Sequence, residues 1–165
     1  VTDRDVIQLF ETHHPKSVED IQALGVSCIY VSRGCARHVY RVGNLAVKIE
    51  LGDTWQSKKE VECMKAVHED PDLEPFRQHI PPLFYERAHE DGSKGRVGVI
   101  VTKYYPAEVP RSVYIKEEHE NLRKAMQRAG IQDIHIANFR LDENGTLVAI
   151  DLGYYTKRAP EAVQV

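Results

Sequence analysis

Residues 129–155 read AGIQDIHIANFRLDENGTLVAIDLGYY, and the rest of the chain becomes legible from this stretch. Asp133 is followed five positions later by Asn138, and Asp151 stands thirteen positions beyond that. Two short apolar runs, Phe139 to Leu141 and Leu147 to Ile150, flank the turn Asp142-Glu143-Asn144-Gly145. An Asn-Gly step between such runs predicts a β-hairpin. The hairpin would bring Asn138 and Asp151 to its open end. An amide oxygen and a carboxylate placed there suit Mg²⁺, which keeps waters and phosphate oxygens in its other positions. The same residues also fit an ordinary turn with an Asp closing a strand, so the remaining sequence has to supply the context.

The 165 residues are the length of one domain with a sizeable core, and 42% hydrophobic with 28% charged residues describes a folded chain. A net charge of -3 gives no reason to expect nucleic acid or an anionic membrane as a partner. No apolar run approaches the ~20 residues of a membrane span. The opening residues, with Asp3, Arg4 and Asp5, do not make a signal peptide, and the expected location is cytoplasmic. Cys28, Cys35 and Cys63 form no Cys-x-x-Cys pair and leave one thiol over in any pairing scheme. Free thiols in a reducing compartment follow, with Cys28 and Cys63 in the core and Cys35 at the surface. No Cys/His cluster has the spacing of a structural zinc site.

In chain order, Thr2-Asp3-Arg4-Asp5 has the form of a capping box before a helix with Val6, Ile7, Leu9 and Phe10 on its apolar face. His13-His14-Pro15 ends it, and Ser17 opens a second short helix with Val18, Ile21 and Leu24 inward and Gly25 as its stop. The period then changes to that of strands, over Val26 to Val31, Arg37 to Val42 and Leu45 to Leu51, with Gly43-Asn44 as a hairpin turn. Lys48 stands mid-strand among Leu45, Val47 and Ile49, where a lysine needs either an outward orientation or a partner. Trp55 to Glu69 reads as a helix with Val61, Met64, Lys65 and His68 on one face and Glu60 and Glu62 near its start. Asp70-Pro71 stops it, and Pro75, Pro81 and Pro82 mark an irregular link. Leu83 to Ala88 and Val97 to Lys103 form another hairpin around the polar turn Glu90 to Gly95, and a helix over about Ile115 to Arg128 leads into the opening stretch.

Asp133-x-x-x-x-Asn138, then a hairpin, then Asp151-Leu152-Gly153, resembles the catalytic loop and metal-binding Asp-Phe-Gly element of the protein-kinase-like fold. The form Asp133-Ile134-His135-Ile136-Ala137-Asn138 resembles the Asp-x-His-x-x-Asn loop of the aminoglycoside-phosphotransferase branch more than the His-Arg-Asp loop of eukaryotic protein kinases. Ala46-Val47-Lys48-Ile49 resembles the third-strand Val-Ala-Ile-Lys, and Ser32 to Arg37 resembles a glycine-rich loop that retains only Gly34, with Ser32 and Arg37 where glycines are usual. The resemblance implies an α+β fold with a five-stranded antiparallel N-lobe sheet, one helix and a minimal C-lobe. Residues 1–25 would be a helical segment, 26–103 the N-lobe and 104–165 the C-lobe of one domain.

By the same resemblance Asp133 is the catalytic base, Lys48 and a helix glutamate (Glu60, with Glu62 as the alternative) hold the ATP phosphates, and Asn138 and Asp151 hold Mg²⁺. His135 would brace the loop. Gly34, Arg37, Lys48, Lys103, Tyr104 and Tyr105 would contact the nucleotide. Twelve residues follow Gly153, where the family carries a long activation segment and further helices. The chain also resembles short kinase-like proteins of bacteriophages, which implies a host protein as acceptor or partner in the bacterial cytoplasm. Two functions remain open: an ATP- and Mg²⁺-dependent phosphotransferase, and a pseudokinase-like module that binds a partner, either a host protein or a second copy.

Overall fold

The computed structural model describes residues 1–34, 36–52, 54–88, 96–132, 134–153 and 155–157. Cys35, the turn at residues 89–95 and Asp133 therefore lie outside the described residues. The chain divides into two compact units, Val1–Val61 with Leu83–Tyr104, and Glu62–Pro82 with Tyr105–Val165.

The first unit is an antiparallel sheet of β1 (Ile29–Arg33), β2 (Arg37–Val42), β3 (Leu45–Glu50), β4 (Leu83–Ala88) and β5 (Val97–Lys103), in the order β1-β2-β3-β5-β4. Two helices precede it, α1 (Asp3–His13) and α2 (Val18–Ala23). The expected capping box closes on α1: Asp5 N–H donates to Thr2 Oγ1 at 3.2 Å and Thr2 N–H to the Asp5 carboxylate at 2.9 Å. The Thr2 N–H, with help from the Thr2 side chain, holds the Asp5 carboxyl below its usual range. Ser17 caps α2 in the same manner.

Val6 and Phe10 of α1 and Ile21 of α2 pack against Val42, Leu45, Val47, Tyr85, Val99 and Val101 to form the core on one face of the sheet. Burying each of the larger side chains contributes about 1.5–3 kcal/mol, which is why two short helices stay docked. Gly43, at φ 62°, makes the tight turn between β2 and β3. Asp3 Oδ1 accepts the Asn44 N–H at 3.2 Å, and a Cβ on Gly43 would lie 2.8 Å from that oxygen. The start of α1 thus fastens the hairpin.

Three expectations for this unit need correction. The first strand begins at Ile29 instead of Val26 and is exposed along its whole length, because it is the edge strand and its register slips between Tyr30 and Ser32. Cys28 is half-buried at the margin of the core, where desolvation raises its thiol pKa; Cys63 is buried as expected. The helix α3 (Gln56–Glu69) turns Ser57, Glu60, Val61, Met64 and Val67 inward, and Lys65 and His68 are exposed. That pattern is the true i, i+3, i+4 stripe, displaced from the one read in the sequence.

The second unit contains a 3-10 helix (Pro71–His79), the strand β6 (Ala107–Glu108), α4 (Arg111–Tyr114), α5 (Glu117–Arg128), a short 3-10 turn (Ile136–Asn138) and the hairpin β7 (Phe139–Leu141) with β8 (Leu147–Ala149). The proline-rich link is therefore regular. Asp70 caps it by accepting Asp72 N–H at 2.9 Å, Pro71 occupies its first turn, and Leu73 and Phe76, three residues apart, are both buried. The helix expected over about Ile115 to Arg128 is α5, which starts two residues later at Glu117 and is anchored by Ala125 and Met126; α4 is a separate short turn before it. β6 adds a third strand to the hairpin, in the order β6-β7-β8; at two residues it is too short to show a pattern in sequence. No helix among the described residues is long and apolar enough to cross a membrane.

Candidate functional site

Strand alternation creates the first cluster. Leu45 and Val47 of β3 point into the core shared with α1 and α2, which sends Lys48 and Glu50 to the opposite face. Across the β2–β3 ladder Arg37 is registered with Glu50. From the start of α3 come Ser57 and Glu60, and from just before β5 comes Arg96. Lys48 Nζ donates to Glu60 Oε1 at 2.7 Å, with side-chain exposures of 5% and 1%. Arg37 Nη1 lies 2.5 Å from Glu60 Oε2 and 3.4 Å from Ser57 Oγ. Glu50 Oε1 accepts the Ser57 backbone N–H at 3.1 Å, and Glu50 Oε2 accepts from Arg96 Nε at 3.2 Å. Arg96 Nε also donates to the Thr54 carbonyl at 2.7 Å. Charges taken this far from water persist only when paired, and each charged side chain of this group lies against one of opposite sign, although Glu60 Oε2 meets Arg37 as an ion pair without hydrogen-bond geometry.

Between the two glutamates left open by the sequence, Glu60 meets Lys48. Residues 57, 60, 61 and 64 share one face of α3, whereas Glu62 is turned about half a revolution away and is exposed. Arg37, expected at the nucleotide, is buried with its guanidinium on Glu60. Gly34 is exposed, and its N–H closes a turn on the Arg37 carbonyl at 2.9 Å. A Cβ there would meet that carbonyl at an ordinary 3.9 Å, so the fold itself does not require glycine at this position.

The residues expected at the hinge separate. Lys103, half-buried, ends β5 opposite Leu45. Tyr104 donates its N–H to the Asn44 carbonyl at 2.8 Å, and the Arg41 guanidinium lies 4.5 Å from its ring centroid. Tyr105 belongs to the second unit and is buried there. Its phenol is pushed up to about 12, first by burial and then by Glu143 and Asp142.

The second cluster is set by a ladder. β7 and β8 pair with Phe139 opposite Ala149, and Ile150 N–H donates to the Asn138 carbonyl at 2.7 Å, one step beyond. Asn138 and Asp151, both half-buried, therefore stand at the open end of the hairpin. At the closed end Asp142 Oδ1 accepts Asn144 N–H at 2.8 Å and Thr146 N–H at 2.9 Å, and Gly145 takes φ 78°. The loop before Asn138 is braced at His135 through its carbonyl, which accepts Asn138 N–H at 2.9 Å, while the imidazole is exposed.

Asn138 and Asp151 offer hard oxygen donors, the chemistry that Mg²⁺ prefers. Among the described residues no three His, Cys, Asp or Glu side chains gather as a metal site.

The sequence reading did not anticipate Glu50, Ser57 and Arg96 in the first cluster. The signal was present: Lys48 and Glu50 lie two apart on one strand, so they share a face, and two opposite charges on one face of an inner strand imply a buried ionic group.

No family model matches the chain, and no curated protein matches it. Among solved structures it is similar to a pseudokinase in its apo form, at 13% identity and a TM-score of 0.48 over 87% of this chain and 58% of that one. It is also similar to a MAP kinase from Leishmania major, at 16% identity and a TM-score of 0.47 over 92% of this chain and 50% of that one. The chain thus spans between 50% and 58% of the length of these structures.

Proposed function

We propose that this chain is a protein-kinase-type phosphotransferase that uses ATP with Mg²⁺, and the buried Lys48–Glu60 pair at 2.7 Å is the observation that carries the proposal. A lysine inside a sheet must offset its desolvation, and a carboxylate from the neighbouring helix that fixes the ammonium makes it ready to meet phosphate oxygens. Lys48 would hold the α- and β-phosphates while Glu60 keeps its ammonium in place. Asn138 and Asp151 would hold Mg²⁺, which when bound offsets charge on the β- and γ-phosphates. Asp133, outside the described residues, would take the proton of the acceptor hydroxyl. The acceptor oxygen forms its bond to the γ-phosphorus as the bond to the β–γ bridging oxygen breaks, and ADP leaves with that electron pair. Gly34, Lys103, Tyr104 and Tyr105 would contact the nucleotide through backbone groups.

The loop Asp133-x-His135-x-x-Asn138 supports the aminoglycoside-phosphotransferase type. The likeness to short bacteriophage proteins supports a host protein in the bacterial cytoplasm as acceptor. Calorimetric titration with MgATP tests the reading: the wild type binds, Lys48→Met weakens binding at least tenfold, and Asp151→Asn removes its dependence on Mg²⁺. Asp133→Ala binds MgATP and transfers no labelled phosphoryl group to proteins of a host lysate. A wild type that leaves millimolar MgATP unbound overturns it.

One observation favours a second reading, a pseudokinase-like module that acts by binding a host protein or a second copy. Where the family has a glycine that admits phosphate to the backbone, Arg37 stands with its guanidinium turned inward onto Glu60. Under this reading the same titration shows no nucleotide binding.

A further inference from the structure

We infer that Glu50, Arg96 and Arg37 are positioning residues that lock the first turns of α3, so that Glu60 meets Lys48 before any nucleotide binds. The part of the inference that concerns nucleotide rests on the phosphotransferase reading. The lock itself rests on the geometry of the first unit.

A helix leaves the N–H groups of its first turn without partners, and a side-chain oxygen just before it normally takes one of them. At α3 the carbonyl of Trp55 accepts the first-turn bond from Lys59 N–H at 3.1 Å, but an indole carries no acceptor oxygen, and the first turn of the helix holds no acidic residue. Glu50 supplies the missing acceptor from β3. One carboxylate oxygen takes the Ser57 N–H, where the helix dipole favours negative charge, and the other is held by Arg96. Arg96 also grips the Thr54 carbonyl, two residues before α3 begins. The entry to the helix is therefore fixed from β3 and from the residue before β5 by side chains that are almost wholly buried, 1% exposed for Arg96 and 0% for Glu50.

One turn further on, Arg37 binds both Ser57 Oγ and Glu60 Oε2, leaving Glu60 Oε1 for Lys48. Rotating α3 by a single residue, about 100°, would break the bonds to Ser57 and Glu60 together and strand buried charges. Arg37 has a second effect. If the Lys48 ammonium is drawn toward a phosphate, Glu60 keeps a guanidinium partner, so the pair can open toward ligand without an uncompensated carboxylate in the interior.

Hydrogen exchange of the amides of residues 57–61, measured in the nucleotide-free protein against those of β2 and β3, tests the lock. In the double variant Glu50→Ala with Arg96→Met, which removes anion and cation together, exchange at 57–61 rises at least tenfold while β2 and β3 stay as in the wild type. Glu50→Gln, which keeps an oxygen for the Ser57 N–H, retains most of the protection, and Arg37→Met loses it. Unchanged exchange at 57–61, or an equal rise in β2 and β3, overturns the inference. Should the double variant not fold, Arg37→Met alone decides on the same criterion. Adding MgATP leaves wild-type exchange at 57–61 unchanged and restores protection in Arg37→Met; protection that rises in the wild type shows that α3 was not locked beforehand and overturns the inference. A wild type that binds no MgATP sinks the phosphotransferase reading, while the nucleotide-free comparison still decides the lock.

Discussion

In the first unit the ionic side chains come from four separate stretches, Arg37, then Lys48 with Glu50, then Glu60, then Arg96, and they meet where almost no water reaches. In the second unit Asn138 and Asp151 lie thirteen residues apart on the arms of one hairpin and stay half in solvent. The first arrangement depends on sheet register and on the rotation of α3, so an error anywhere would strand a charge. The second depends on one turn and a short ladder of backbone bonds. The difference teaches that groups meant to stay charged in an interior must be fixed by several elements at once, whereas a polar pair that keeps half its contact with water can be fixed locally by one turn.

The strongest way to break this comparison is Glu60→Ala. It leaves Lys48 and Arg37 buried beside a methyl group, and a loss of about 3–5 kcal/mol is expected by chemical denaturation. A loss under about 1 kcal/mol would mean that the cations find water and that the interior is not closed. The matching change in the second unit is Asp142→Ala, which frees the Asn144 and Thr146 N–H groups in an exposed turn. Its cost should be about 1 kcal/mol, because water replaces the lost acceptor; a cost equal to that of Glu60→Ala would erase the contrast.

The smallest effect is confined to a pH range. His79 donates its Nδ1–H to the Leu147 carbonyl at 2.8 Å, since a carbonyl only accepts, and burial, ahead of all other causes, lowers its pKa below the ordinary 6.5. The unfolded chain therefore binds the proton more readily. Stability is whole above pH 6.5 and falls as pH drops from there through the lower folded value. His79→Gln should flatten that slope between pH 7 and 5 in a denaturation series, and a slope unchanged by the substitution would assign the effect to other groups.

How much could be read in advance follows from the range of each interaction. The β7–β8 hairpin was legible because its turn residues and its apolar runs are adjacent in sequence, and the caps of α1 and α2 because Thr2 and Ser17 bond within their own first turns. The face of α3 was misread because Lys65 and His68 have helical spacing with Val61 and Met64, while the residues that do turn inward include Ser57 and Glu60, whose polarity argues against burial until their partners are known. Arg37 was expected at the nucleotide because it stands at a usual glycine position of the glycine-rich loop it resembles; the carboxylate that receives its guanidinium is 23 residues away. The 3-10 helix at Pro71–His79 was hidden by prolines, although the Leu73 and Phe76 spacing was there to be used.

By itself the sequence determined the alternation that builds the five-stranded sheet, the turns that join its neighbours, and the hairpin whose open end carries Asn138 and Asp151. Tertiary structure alone decided which glutamate receives Lys48, that Arg37 points inward, and that Glu50 caps a helix to which it does not belong. The physical reason is desolvation. Propensity and pattern act between near neighbours in water, but the partner of a buried charge is chosen only when packing has removed the water and left one geometry in which every ion is answered.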